Sequence, residues 1–105
     1  MATVKRGTEQ FRGMFSEIWQ VKETVDFADA ATGSGTFSSS DVTVPGVALG
    51  DIVMGVSAGV DTVDAVIAGA VTAANTVTLT LLNNTAGAVN LASTTVKFIV
   101  VRPTF

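Results

Sequence analysis

From Trp19 onward the chain alternates apolar and polar residues: Trp19, Val21, Val25 and Phe27 share one parity, with Glu23 as an exception, and Gln20, Lys22, Thr24 and Asp26 share the other. Period two marks a half-buried strand, and the Val, Ile and Thr that dominate the remaining chain suit a pleated surface. The pattern predicts strands over 25–28, 36–44, 51–57, 63–70, 76–82 and 94–102. In "TVTLTLL", Val77, Leu79 and Leu81 face one side and Thr76, Thr78 and Thr80 the other. Turn-forming stretches rich in Gly, Pro and Asn lie between these runs: "TGSG", "PGVALG", "TAAN" and "NNTAGAVN". A strand every ten to fifteen residues, roughly, with no gap long enough for a crossover helix, predicts an all-β antiparallel sandwich or a jelly-roll/Greek-key barrel. The Ala-rich "DTVDAVIAGAVTAAN" reads as strand, with a short helix as the alternative.

The first residues follow a different rule. Phe11, Met14, Phe15 and Ile18 recur at the i, i+3, i+4, i+7 spacing of one helical face, although Gly13 weakens a helix there. An N-terminal arm or short helix is expected to run to about Ser16 and pass into the first strand. The chain thus divides into an arm over 1–18 and a single β-sandwich domain over 19–105. Phe11, Met14, Phe15 and Trp19 concentrate bulky apolar surface that must be buried. Either they cap their own sandwich or they anchor the protein to a neighbour.

Charge sharpens this picture. Only 14% of the 105 residues are charged against 48% hydrophobic, and the net charge is −3. A soluble domain usually carries about a quarter of its residues as charges, so hydroxyls and amides must dress much of this surface. After Thr24 the only bases are Lys97 and Arg102. A body so poor in cations is ill suited to neutralising a phosphate backbone, and no direct nucleic-acid binding is expected. No window supplies the roughly 18 or more apolar residues of a membrane span, and "MATVKRGTEQ" lacks the apolar core of a secretory signal. The expectation is a soluble protein made in the cytoplasm, with no membrane partner.

Candidate chemistry is sparse. His, Cys and Tyr are absent, which removes the commonest general base, the thiol nucleophile and the soft metal ligands. Asp61 and Asp64 are close in sequence, but residues three apart on a strand point to opposite faces, and they read as turn caps. The serines of "FSSSD" have no histidine to activate them. "GSG" over 33–35 lacks the following Lys-Ser/Thr of a phosphate loop, "GVSAG" over 55–59 lies outside any membrane span, and Asn83-Asn84-Thr85 is an acceptor sequence for glycosylation without a secretory signal. No enzyme activity, cofactor or metal is expected. Edge strands are normally blunted with Lys or Pro, and this body has almost none of either, which suits edges or faces that meet identical neighbours.

The stretch from Val25 to Val101, with "DVTVPGVALGDIV" ending one strand and "VTAANTVTLTLLNNTAGAVNLASTTVKFIVV" as a closing hairpin-like unit, resembles a recurrent β domain of small virion structural proteins in tailed bacteriophages. That resemblance implies a jelly-roll-like sandwich and a non-enzymatic role in capsid decoration or cementing. It also implies a homotrimer on the virion surface, with the major capsid protein as partner. On this reading Phe11, Arg12, Met14, Phe15, Ile18 and Trp19 would grip the capsid protein or a sister subunit. The competing readings are a tail-fibre, spike or receptor-binding module, whose loops would touch a host glycan or protein, and a small hydrolase. The small, nonaromatic loops lean away from the former.

Overall fold

A computed structural model describes residues 13–27, 36–62, 64–85, 87, 90–91 and 93–105. Among them the regular elements are six strands: β1 (Phe15–Val25), β2 (Thr36–Thr43), β3 (Ile52–Ala58), β4 (Val66–Ala73), β5 (Thr76–Asn83) and β6 (Thr94–Pro103). They form two antiparallel three-stranded sheets, ordered β1-β6-β3 and β2-β5-β4. The all-β antiparallel sandwich expected from the alternation is what the chain forms, and "VIAGAVTA" lies in a strand.

Each sheet turns one parity inward. Val96, Phe98 and Val100 of β6 meet Val77, Leu79 and Leu81 of β5, flanked by Trp19, Val21, Val42, Val53, Val56, Ile67 and Val71. The two central strands carry the most deeply buried residues because they have neighbours on both edges as well as the opposing layer. Each fully buried Leu or Val adds about 1.5–3 kcal/mol relative to exposure. Gly69 lets the layers close: a Cβ there would lie 3.0 Å from Leu79 and 3.1 Å from Val53 on the opposite sheet.

In β3 the inward residues Val53 and Val56 are three apart, a spacing that a regular strand cannot point to one side. A bulge between Met54 and Val56 restores the phase, with Gly55 at φ 56°, a left-handed conformation that glycine adopts without a Cβ penalty.

Two expectations are corrected. The helical spacing over Phe11, Met14, Phe15 and Ile18 does not produce a helix across its described part. Gly13 and Met14 form a short 3₁₀ turn, and β1 begins at Phe15, paired with Pro103. Pairing with ten-residue β6 overrides a weak local preference. Second, β5 and β6 do not make a closing hairpin-like unit. They lie in different sheets, and the hairpin is β4–β5, closed at Asn75 with φ 62°. From their different sheets, β5 and β6 bury their apolar faces in one core. Phe11 and Arg12 lie outside the described residues.

Candidate functional site

One end of the sandwich is closed by a network centred on Arg102. The guanidinium donates from Nε to Asp51 Oδ1 at 3.0 Å and from one terminal nitrogen to Asp51 Oδ2 at 2.9 Å. It also donates to Glu17 at 3.0 Å and to the Gly46 carbonyl at 3.0 Å. Its carbon sits 5.2 Å from the Trp19 ring centroid, within range of a cation–π contact. Trp19 Nε1 donates to the Pro45 carbonyl, and the indole lies under Gly46, whose φ of 99° brings the backbone against the ring. The Asn75 side chain accepts from the Gly46 N–H at 2.8 Å, tying in the β4–β5 turn.

Arg102's hydrogen bonds hold the Asp51 carboxyl below its ordinary value. Burial opposes the shift, and the Ala48 N–H, at 2.9 Å, supports it. Asp51 in turn raises the Arg102 pKa, again against burial. Arg102 makes four hydrogen bonds to the protein itself, so the network locks "PGVALGD" over the core.

The accessible surface with the character of a site is the outer face of the β1-β6-β3 sheet. Register places Ile18, Val101 and Ile52 in one row, Gln20, Ile99 and Met54 in the next, and Lys22, Lys97 and Ser57 in a third. Ile18, Ile52, Met54 and Ile99 are all exposed. An open groove of about 560 Å³ runs over this face, lined by Gln20, Lys22, Met54, Lys97 and Ile99 among others. Lys22 and Lys97 sit side by side with no ion pair among the described residues. The chemistry available is apolar burial bordered by two cations, suited to a complementary acidic and apolar surface.

The residues picked from sequence are dispersed. Met14 and Phe15 are half-buried where β1 meets the chain's last residues, with the Met14 carbonyl accepting from the Thr104 N–H at 2.9 Å. Ile18 is on the outer face and belongs to its apolar row. Trp19 points the opposite way and packs on the protein's own core. Asp61 and Asp64 are both exposed, and Asp64 has a φ of 66°. Among the described residues no group of three or more His, Cys, Asp or Glu could hold a metal. Of the serines, Ser38 is buried facing inward and Ser39 is exposed. Asn83 is fully buried: its side-chain oxygen accepts from the Thr85 N–H at 2.9 Å and its amide donates to the Gly87 carbonyl at 2.8 Å. It locks the turn after β5.

Sequence reasoning missed Ile52, Met54, Ile99, Lys22 and Lys97 as one surface. Alternation signals that each points outward, but they come from three strands, and only pairing makes them neighbours. The class defined by fold and site is therefore an all-β sandwich with an apolar, lysine-bordered outer face. No protein-family model matches the chain, and neither a curated protein nor a solved structure shows significant similarity to it.

Proposed function

We propose that this protein is a non-enzymatic virion structural protein of a tailed bacteriophage, decorating or cementing the capsid surface by binding the major capsid protein as a homotrimer. The observation that carries this reading is the outer face of the β1-β6-β3 sheet, where Ile18, Ile52, Met54 and Ile99 are exposed beside Lys22 and Lys97. Large apolar side chains in adjacent rows mark a contact surface for another protein. The resemblance of 25–101 to phage virion proteins supplies the class of partner. Ile18 belongs to this face, while Trp19 serves by fixing β1 to the core.

Cosedimentation with purified capsid shells tests the reading. The wild-type protein is expected to pellet with shells, and Met54→Asp or Lys97→Glu to remain in the supernatant with an unchanged circular dichroism spectrum. Failure of the wild type to bind shells, combined with binding to host cells, would favour a receptor-binding module instead.

A further inference from the structure

The outer face of the β2-β5-β4 sheet has a different chemistry, and it is used neither by the Arg102 network nor by the lysine-bordered face. Register aligns Phe37, Leu82 and Val66 in one cross-strand row at one end of the sheet, followed by Ser39, Thr80 and Ala68. Phe37 is 66% exposed and Val66 56%, far more than side chains of this size need be. With Ala68, Thr80 and Leu82 they line an open groove of about 370 Å³. Among the described residues the one charge on this face is Asp41, four residues or about 13 Å along β2 from Phe37, and it already accepts from the Thr78 hydroxyl at 2.7 Å.

We infer that this face is the self-association surface, with three copies directing it toward a common three-fold axis and Phe37 of each copy against Val66 of the next. The inference rests on the homotrimer reading and names its interface. Charge decides between the two faces. Contact between identical copies through the β1-β6-β3 face would crowd Lys22 and Lys97 with their own counterparts, whereas among the described residues no like charges meet around the Phe37–Leu82–Val66 row.

Geometry supports three copies. Three strands about 4.8 Å apart span about 14 Å, and a triangle of that side has its centre about 4 Å from each edge, close to half of the roughly 10 Å at which sheets stack. Phe37 and Val66 stand on opposite edge strands of the same row, so each copy offers one to each neighbour and the ring closes. The face measures about 14 by 26 Å, less than half of the roughly 800 Å² per partner typical of stable complexes, so assembly should depend on concentration.

Light scattering over a concentration series is the test, using wild type, Phe37→Asp, Val66→Lys, the double variant, and Met54→Asp on the other face as control. The expected result is a wild-type trimer and at least about a tenfold rise in the concentration for half-assembly in either single variant. The double variant should regain the trimer, because each contact then pairs opposite charges, and Met54→Asp should match wild type. Circular dichroism checks that the variants fold, with Phe37→Ser as a milder replacement. A wild-type monomer at every concentration overturns both the trimer and this interface. A wild-type dimer likewise overturns both, whereas a trimer unaffected by Phe37→Asp and Val66→Lys, or a double variant that stays dissociated, overturns the interface alone.

Discussion

The first sheet presents Ile18, Ile52, Met54 and Ile99 to solvent beside two lysines, whereas the second presents Phe37, Val66 and Leu82 beside threonine and alanine, with Asp41 its one charge among the described residues. The inner faces show no such difference in kind: Trp19, Val21, Val53, Val56, Val96, Phe98 and Val100 of the first sheet and Val42, Ile67, Val71, Val77, Leu79 and Leu81 of the second are all apolar. Folding demands only that the inner faces be apolar and of matching volume, so the two sheets converge there. Outside, each face answers to what it meets, and net charge separates a face suited to a foreign partner from one suited to a copy of itself.

The comparison breaks most completely from the inside. Phe98→Ala in the first sheet should cost about 3–5 kcal/mol and Leu79→Ala in the second about 2–5 kcal/mol in denaturant unfolding. Either should weaken shell binding and self-association together, since both outer faces ride on one core. If Leu79→Ala spared shell binding while abolishing the trimer at a concentration where the protein is folded, the sheets would be less coupled than the shared core implies.

A moderate effect is expected at the end held by Arg102. The folded pKa of Asp51 lies below its ordinary value of 3.8, so its contribution to stability is fully present above that value and is lost as pH falls through the folded pKa. Asp51→Asn should therefore lower the Tm at neutral pH, and the gap from wild type should shrink below about pH 4. A gap that persists unchanged into acid would mean that packing around Asp51, and not its charge, holds the loop.

The smallest effect sharpens the contrast between the faces. Raising salt from about 0.1 to 1 M shortens the Debye length from about 10 to 3 Å, which should weaken shell binding through Lys22 and Lys97 and leave the trimer unchanged or firmer. Isothermal binding measurements for the shells and light scattering for the trimer read the two responses. Equal salt sensitivity in both would erase the distinction between the faces.

Much of this was legible beforehand. Expected strands over 36–44, 51–57, 76–82 and 94–102 compare with Thr36–Thr43, Ile52–Ala58, Thr76–Asn83 and Thr94–Pro103. Alternation is enforced residue by residue wherever one face is buried, so it survives in the sequence. The expected strand over 63–70 slips to Val66–Ala73, because Asp64, with its left-handed backbone, belongs to the turn before it. The helical spacing of Met14, Phe15 and Ile18 misled because a preference carried by so few residues yields to the edge that β6 supplies for pairing. Of the residues expected to bind a partner, Ile18 stands on an outer face and Trp19 is held within the fold. The pairing of β1 with β6 is what separates those two.

By itself the sequence determined the all-β class, the parity of β5 and of β1 from Trp19 onward, the turns rich in Gly, Pro and Asn, and a surface made of threonine more than of charge. These are local properties, carried by neighbours along the chain. Tertiary structure alone decided the order β1-β6-β3 and β2-β5-β4, the pairing of Arg102 with Asp51, the phase correction at Gly55, and the rows that gather Ile99 with Met54 and Phe37 with Leu82 and Val66. Those depend on which strand lies beside which, and any strand with an apolar face can satisfy an apolar neighbour. Only simultaneous packing of all six strands, with the Gly69 contact and the Asn75 turn in place, selects one arrangement.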